Sequence, residues 1–146
     1  MKNLIFIQHP LIKRDLTLLR DVHTPSNMFR SILRRVASLI AFEVTRDLRV
    51  RQVKVTTPLE RAAGFVLSDA IIVVSILRAG LGLVGGFVEL LPDARVGHIG
   101  LYRDETTLKP IDYYLKFPRK LKDALVLVLD PMLATGGSAV SAVTIL

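Results

Sequence analysis

The residues best suited to chemistry lie together in one loop near residue 130. Asp130 is followed, within nine residues, by Thr135, Gly136, Gly137 and Ser138, and an Ala/Val-rich run comes next. Glycines let backbone N–H groups approach a phosphate closely, and the first amides of a helix favour negative charge. A phosphate would repel Asp130, whose carboxylate is better suited to sugar hydroxyls or to a cation held through water. The loop therefore predicts a site for a phosphorylated sugar or a nucleotide.

An ordinary strand-to-helix turn, in which the glycines only cap and pack, is the alternative for this loop. The combination of one acid, two hydroxyls and two glycines within nine residues favours the binding site. The sequence contains no GxxxxGK(S/T) motif, so the loop is not a P-loop.

Arg78 is the second candidate for anion binding. It directly follows the apolar run 70–77 and stands two residues before Gly80. An arginine beside a glycine turn at the carboxyl end of a strand presents forked donors where an anion would bind. The alternative is an arginine that ends the strand in solvent, and this residue alone does not decide between the two.

The three histidines are the remaining acid–base candidates. They are His9, His23 and His98. None has the spacing of a nucleophile–base pair, so we expect structural or surface roles for all three.

Two units of strand, glycine turn and helix position these candidates. Residues 70–77 and 124–130 are nearly unbroken apolar runs, which are typical of strands buried on both faces of a parallel sheet. The first run leads through Arg78 and two glycines into a helical stretch over 83–91, and the second leads into the Asp130 loop. The pattern predicts an α/β fold with a doubly wound sheet, whose ligand site lies at the carboxyl ends of the strands.

The first half of the chain carries helical patterns followed by a strand. Apolar spacing predicts a helix over 13–22 and an amphipathic helix over 28–48, with a candidate N-cap at 24–27. Alternation over 50–58 predicts a half-exposed strand near an edge, whereas 60–68 is ambiguous between helix and loop.

A β-hairpin is predicted between the two glycine turns. Residues 95–103 and 111–117 have strand patterns, and the polar segment 104–109 would form the turn between them. A short charged segment, 118–123, then leads into the last strand.

Length and composition indicate a single globular domain. The chain has 146 residues, of which half are hydrophobic, so it can bury a core of its own. It has no cysteine, which excludes disulfides and cysteine-based metal sites. The N-terminal apolar run is too short for a signal peptide, and no run of about 18 apolar residues could span a membrane. A cytoplasmic location and no membrane partner are therefore expected.

The formal net charge of +7 is concentrated in residues 1–61. That segment holds 12 Lys/Arg against 5 Asp/Glu, whereas residues 62–146 hold 8 of each. A basic segment can indicate nucleic acid, but its aromatic residues, Phe6, Phe29 and Phe42, suit core faces better than base stacking. A solvated helix face or the steering of a polyanionic small molecule is favoured, and nucleic acid is not an expected partner.

Stretches along nearly the whole chain resemble the uracil phosphoribosyltransferases, a type I phosphoribosyltransferase family. DPMLATGGSA (130–139) is similar to that family's phosphoribosyl-diphosphate loop, which has Asp-Pro where most phosphoribosyltransferases have two adjacent acids. The other family-like stretches are, in order, HPLI, EVTRDL, TPL, SILRAGLG and ARVGHIGLYRDE. The resemblance implies an α/β fold with a doubly wound, mostly parallel sheet, N-terminal helices and a β-hairpin arm.

The resemblance also implies a role for each site residue. Residues 134–138 would hold the 5′-phosphate of 5-phospho-α-D-ribose 1-diphosphate (PRPP), Asp130 the ribose hydroxyls, and Arg78 and Arg103 the diphosphate. Catalysis is implied for Asp130, Arg78 and Arg103. The full PRPP-binding set is Arg78, Arg103, Asp130, Pro131, Met132, Leu133, Ala134, Thr135, Gly136, Gly137 and Ser138. Mg²⁺ is expected to arrive with PRPP, and no metal site made by the protein alone is implied.

The reaction implied by the resemblance converts uracil and PRPP to UMP and diphosphate in pyrimidine salvage. Departure of the diphosphate builds positive charge on the ribose and negative charge on the leaving group, as in other oxocarbenium-like reactions. Catalysis then depends on neutralising the leaving group with arginines and magnesium, so no strong general base is required.

Two features depart from the family. Gly85-Gly86 occupy a place where the family usually has an acid near residue 85. The sequence stops at Leu146, inside the helix after the loop, whereas family members continue into the part that recognises uracil. We therefore expect one domain, 1–146, with a basic, helix-rich segment 1–61 and the start of the α/β core at 62–146, lacking the uracil-binding part.

The expected partners follow from the same resemblance. They are PRPP and uracil, GTP as a candidate effector that activates some relatives, and a second copy in a homodimer or higher homo-oligomer. Tyr113 and Tyr114 fall in the region where family dimers often use a hairpin arm. The alternative function is a non-catalytic or regulatory PRPP- or nucleotide-binding module whose basic segment would contact RNA or another partner.

Overall fold

The computed structural model describes residues 4–103, 110–119 and 122–146. Its elements, in chain order, are α1 (Pro10–Arg20), α2 (Ser26–Val44), β1 (Val50–Thr56), β2 (Arg61–Leu67), β3 (Ala70–Leu77), α3 (Leu81–Leu90), β4 (Arg95–Arg103), β5 (Pro110–Lys116), β6 (Ala124–Leu129) and α4 (Gly137–Ile145). None of the helices in this part of the chain is long and apolar enough to cross a membrane.

The main sheet has four strands in the order β5-β4-β3-β6. β3 pairs in parallel with both β4 and β6, and β5 is antiparallel to β4. Helices α2 and α3 cover one face around Val73 and Leu129, and α4 packs on the other face against Ile72, Val74 and Ile99. The predicted α/β architecture, with a mostly parallel sheet between helices, is confirmed.

Strand β3 is a central, buried strand of the main sheet. From Ile71 to Ile76 every residue is buried, because the strand has a neighbour on each side and helices on both faces. Only Ser75 interrupts the run of β-branched side chains, which favour the pleated backbone. The predicted bounds of this strand are confirmed.

Strand β6 is less buried than its apolar sequence predicted. Among the described residues it pairs only with β3, so it is an edge strand. Leu125 is 40% exposed, whereas Leu129 is buried against α2 and α3. The prediction of burial on both faces is wrong for this strand, because an apolar run does not reveal how many neighbours the topology supplies.

Strands β1 and β2 form a separate two-stranded antiparallel sheet. Residues 60–68, ambiguous in the sequence, contain β2. Thr57 organises the turn between them, since its Oγ1 donates to the Glu60 carbonyl at 2.8 Å and accepts from the Glu60 N–H at 3.0 Å. Both strands are largely exposed, and they contact each other far more than they contact the main sheet.

Helix α1 begins at Pro10, three residues earlier than predicted. His9 is its N-cap, with Nδ1 accepting from the Leu11 N–H at 3.2 Å, and proline suits the first turn. The helix packs on α2 through Asp15, whose carboxylate accepts two hydrogen bonds from Arg35, at 2.6 and 2.8 Å. His9 therefore has the structural role expected of it.

Helix α2 is shorter than its apolar pattern. It ends at Val44 instead of residue 48, where Thr45 Oγ1 donates to the Ala41 carbonyl at 2.7 Å and the chain turns toward β1. No side chain caps its start. Thr24, in the predicted N-cap segment, instead donates from Oγ1 to the Leu18 carbonyl at 2.6 Å and so closes the end of α1.

The glycine pair in α3 has a packing explanation. An ideal Cβ on Gly86 would lie 2.5 Å from the Arg34 carbonyl oxygen and 2.7 Å from Ala37 Cβ. Helices α2 and α3 can therefore approach each other closely only because residue 86 has no side chain. Gly85 is different, since its Cβ would meet Arg34 Nε at 3.5 Å, an ordinary contact.

The predicted β-hairpin is present as β4 and β5, which are antiparallel with a register shift between Gly100 and Leu101. The ring centroids of Tyr102 and Tyr113 lie 6.2 Å apart across the two strands. The predicted turn at 104–109 lies outside the described residues.

Candidate functional site

The carboxyl ends of three parallel strands meet at one edge of the sheet. Ser75 of β3 is in register with Leu129 of β6, and Leu77 is in register with Gly100 of β4. Arg78 directly follows β3, Asp130 directly follows β6, and both segments therefore leave the sheet at the same edge. Ligands of doubly wound folds bind outside this edge, which is where the candidate residues lie.

A contact between the two glycine turns holds them side by side. An ideal Cβ on Gly80 would lie only 2.5 Å from the Leu129 carbonyl oxygen and 2.6 Å from the Ile76 carbonyl oxygen. The turn after β3 is thus pressed against the last peptide of β6, immediately before Asp130. No residue with a side chain fits at position 80 without moving backbone.

Arg78 lies in this turn and is exposed. The peptide bond that joins it to Leu77 is cis. Within the described residues no carboxylate is in ion-pair distance of its guanidinium, in contrast to Arg35 and Arg49, which are paired with Asp15 and Asp69. Its five donors are therefore presented to solvent at the edge where an anion would bind.

Asp130 shapes the loop that follows β6. Its Oδ1 accepts a hydrogen bond from the Met132 N–H at 3.2 Å, the two-residue pattern of an Asx turn. The carboxylate is partly buried, whereas Pro131, Met132 and Leu133 are exposed. The side chain thus both fixes the start of the loop and keeps acceptor capacity, since a carboxylate has about four lone-pair directions.

The loop ends at a glycine with a left-handed backbone. Gly136 has φ of 81°, and it is the N-cap of α4. No side chain caps this helix and its first turn has no acid. The first N–H groups of α4, beginning with Gly137 and Ser138, have no intrahelical partner and carry the positive end of the helix dipole.

These residues surround a shallow cavity of about 180 Å³. It is lined by Asp130 and by residues 132–139, so it contains every predicted loop residue except Pro131. The combination of helix amides, the Ser138 hydroxyl and an adjacent carboxylate is suited to a phosphate joined to a group with hydroxyls. The binding-site interpretation of the loop is therefore favoured over a turn that only caps and packs.

Arg103 is the last residue of β4, three positions beyond the residue that pairs with the end of β3. Its backbone is thus at the same edge of the sheet as Arg78 and Asp130. Its side chain lies outside the described part of the structure, and its predicted role stays a prediction.

Another cavity of the described chain lies at the opposite edge of the sheet. It has a volume of about 540 Å³ and is lined by the amino-terminal end of β3, the end of α3 and part of β1–β2. Its one acid next to β3, Asp69, is held by Arg49 at 2.7 and 3.0 Å. This cavity is larger than the one at the loop after β6, but the convergent donors and the turn glycines are at the other edge.

A contact between two polar residues in the core was not predicted from the sequence. Ser75 Oγ lies 2.7 Å from His98 Nδ1, a hydrogen bond in which either atom can be the donor according to the histidine tautomer. Ser75 is fully buried and His98 is partly buried. A serine within an apolar strand was the available signal, but its partner depends on the register of β3 and β4. His23, by contrast, is exposed on the surface.

The donor set at the site fits a cation that arrives with a ligand. No cluster of three His, Cys, Asp or Glu side chains occurs among the described residues. Asp130 supplies one carboxylate at the cavity. Mg²⁺ keeps several waters and is usually held by one or two carboxylates together with substrate phosphates, and Asp130 meets that requirement.

A family model and the most similar relatives that we compared all have the same description. The family model described as uracil phosphoribosyltransferase matches residues 6–146. A uracil phosphoribosyltransferase of Finegoldia magna is 51% identical over 147 residues, which cover 100% of this chain and 70% of the relative. The enzyme of the same name from Salinibacter ruber is 49% identical over 139 residues, covering 95% of this chain and 66% of the relative.

Solved structures agree on the fold. A protein from Aquifex aeolicus superposes with a TM-score of 0.90 at 34% identity, covering 96% of this chain and 67% of that one. A hypoxanthine-guanine phosphoribosyltransferase from Bacillus anthracis has a TM-score of 0.55 at 14% identity over 79% of this chain and 57% of its own, which bears on the fold alone. The family match over nearly all residues and the identities near 50% lead to one conclusion: the chain belongs to the uracil phosphoribosyltransferase family.

Proposed function

We propose that the edge formed by β3, β4 and β6 binds PRPP, from which the family's enzymes transfer the phosphoribosyl group to uracil with release of diphosphate. The observation that carries the proposal is the contact of Gly80 with the Leu129 carbonyl. It holds the turn that carries Arg78 next to the loop that begins at Asp130, as a single ligand with phosphates at both ends requires.

The loop from Ala134 to Ser138 would bind the 5′-phosphate. The amides at the start of α4 point along the helix axis into the cavity, and anions at this position are stabilised by the helix dipole. Asp130 would accept hydrogen bonds from the ribose hydroxyls, which orients the sugar without contacting the phosphate. Pro131, Met132 and Leu133 complete the loop between these two groups.

Arg78 and Arg103 would bind the diphosphate. Bond breaking at the anomeric carbon places growing negative charge on the diphosphate, so guanidinium groups there stabilise the transition state more than the ground state. Binding the sugar at its 5′-phosphate and the leaving group at the arginines fixes both ends of the bond that breaks. None of the three histidines lines the cavity formed by Asp130 and residues 132–139, which is consistent with a reaction that needs no strong general base.

Mg²⁺ is proposed as the accompanying cation. Held mainly by the PRPP oxygens and waters, with Asp130 as the described carboxylate of the site, it would add positive charge opposite the leaving diphosphate.

We also propose that the chain acts as a homodimer in which β1–β2 contacts a second copy. A two-stranded hairpin is marginally stable by itself in water, and this one exposes Val50, Leu59 and Phe65. Cover by another chain would stabilise it. GTP as an effector and a cytoplasmic location stay predictions, and nothing in the described residues or the relatives favours the regulatory alternative.

Titration calorimetry with PRPP and Mg²⁺ tests the proposed site. Replacing one charged donor by Arg78→Gln should weaken PRPP binding by about tenfold to a hundredfold, since a hydrogen bond to a charged group contributes about 1.5–3 kcal/mol. Arg30→Gln, on the exposed face of α2, is the matched control and should leave binding unchanged. Equal affinities of the Arg78→Gln variant and the unmodified chain would contradict the assignment.

A further inference from the structure

Ser75 and His98 form the one side-chain hydrogen bond between β3 and β4 that is found among the described residues. Ser75 is fully buried, on the face of the sheet that α2 and α3 cover. The neighbours of that face, including Val73, Leu129 and Phe87, are apolar. A buried hydroxyl in such surroundings is unfavourable unless it has a partner, and His98 is that partner.

The link has a consequence for strand register. β3 is apolar on both faces over most of its length, so a slip of two residues against β4 would keep every side chain on its own face. Such a slip would displace the strands by about 7 Å, given the rise per residue of a strand. It would also separate Ser75 from His98 and leave the buried hydroxyl without its partner, which penalises the wrong register.

The same register sets the relative positions of the two arginines. Arg78 stands three residues after Ser75, and the backbone of Arg103 stands five residues after His98. Ser75 is also in register with Leu129, the residue before Asp130. His98, Ser75 and Leu129 therefore lie in one row across the sheet. Strand β6 ends in this row, whereas β3 continues for two more residues and β4 for five.

We infer that Ser75 and His98 are positioning residues for diphosphate binding. Their hydrogen bond fixes how far β4 extends past β3, and so how Arg78 is placed relative to Arg103. Neither side chain is proposed to touch the ligand. The inference rests on the proposed PRPP site, but it adds a requirement that the site residues alone do not contain.

Two ligands separate positioning from general stability. PRPP has both a 5′-phosphate and a diphosphate, whereas ribose 5-phosphate has only the former, which the loop at 134–138 would bind. Dissociation constants for both ligands would be measured by calorimetry with Mg²⁺ at a temperature where every variant is folded by circular dichroism. Ile72→Val, on the same strand but the opposite face, is the matched control for a small loss of core packing.

Ser75→Ala should weaken PRPP binding by up to about tenfold, the limit set by what one hydrogen bond can contribute to holding the strand register, while ribose 5-phosphate binding stays unchanged. Ser75→Thr keeps the hydroxyl and should restore most of the PRPP affinity. His98→Asn, whose amide can replace Nδ1, should retain more affinity than His98→Gln, whose amide is placed like Nε2. The Ile72→Val control should bind both ligands normally.

Three results would overturn the inference. Unchanged PRPP affinity in Ser75→Ala would show that the link is not needed, and equal weakening of both ligands would show a general structural role. Failure of the unmodified chain to bind either ligand would contradict the proposed function and this inference with it. The first of these results, found together with a loss of PRPP affinity in Arg78→Gln, would reject this inference and retain the proposed function.

Discussion

The backbone of Gly80 touches the carbonyl oxygen of Leu129 so closely that a Cβ on residue 80 would lie 2.5 Å from it. This contact joins two turns that are some fifty residues apart in sequence, one carrying Arg78 and the other beginning at Asp130. It is the structural reason for assigning both turns to one ligand.

Replacement of Gly80 by alanine should therefore reduce both stability and PRPP binding. The new methyl group would meet backbone atoms of Leu129 and Ile76, which cannot rotate away as a side chain could. Overpacking of this kind costs about 1–3 kcal/mol, measurable as a lower midpoint of urea unfolding. A Gly80→Ala protein with normal midpoint and normal PRPP affinity would show that the two turns are not pressed together.

The neighbouring glycines of α3 should respond in opposite directions. Gly86→Ala should destabilise the chain by about 1–3 kcal/mol, because its methyl would collide with the α2 backbone at Arg34 and Ser38. Gly85→Ala should stabilise it by up to about 1 kcal/mol through helix propensity, since only the Arg34 side chain is nearby. Urea unfolding of the two variants checks this, and equal changes of the same sign would contradict the described α2–α3 packing.

The left-handed backbone of Gly136 allows a prediction about the loop that begins at Asp130. Alanine at this position should cost about 1–2 kcal/mol of conformational energy, or shift the loop and weaken PRPP binding. Space is not limiting, because the nearest atom to a Cβ would be Leu133 Cδ1 at 3.9 Å. Gly136→Asn should be tolerated better, because asparagine adopts this conformation more readily. If the Gly136→Ala and Gly136→Asn variants bind PRPP equally well, the backbone conformation of residue 136 is not what matters for binding.

The link between α1 and α2 predicts a dependence of stability on pH. The hydrogen bonds from Arg35, partly offset by burial and helped by Arg14, lower the pKa of Asp15 below its ordinary value of 3.8. Because the folded pKa is the lower one, the stabilisation is fully present above the unfolded value. It is lost as the pH falls through the folded pKa. Unfolding midpoints measured from pH 7 to pH 2.5 should show this decline.

Asp15→Asn tests the origin of that decline. The variant should be less stable than the unmodified chain at pH 7, and the difference should narrow below about pH 4, where unfolded aspartate becomes protonated. Glu43→Gln, which removes the exposed pair with Arg46, is the control and should change stability little. A stability difference for Asp15→Asn that stays constant over the whole pH range would contradict the assignment.

Much of the sheet could be predicted because its strands have local signals. The bounds of β3 agree with the apolar run 70–77, those of β4 agree with the strand pattern over 95–103, and the turn glycines indicated the edge where the candidate site lies. β2 was missed because Ala62, Ala63 and Gly64 have little strand propensity, and its pairing with β1 supplies what the local sequence lacks.

Features that depend on contacts between distant segments could not be predicted in the same way. The burial of β6 depends on how many strands pair with it, and the role of Gly86 depends on the approach of α2. The pairing of Ser75 with His98 requires the register of two parallel strands, which the sequence of either strand leaves undetermined. The loop after β6 could be located because its glycines and hydroxyls are adjacent in the sequence, whereas the binding role of its residues stays a prediction.

A crystal structure of the chain with PRPP and Mg²⁺ bound would test the central claim most directly. The account predicts that the 5′-phosphate lies within hydrogen-bond distance of the Gly137 and Ser138 N–H groups, with the diphosphate of the same molecule against Arg78. Binding of PRPP in the 540 Å³ cavity at the opposite edge of the sheet, or with its diphosphate remote from Arg78, would contradict it.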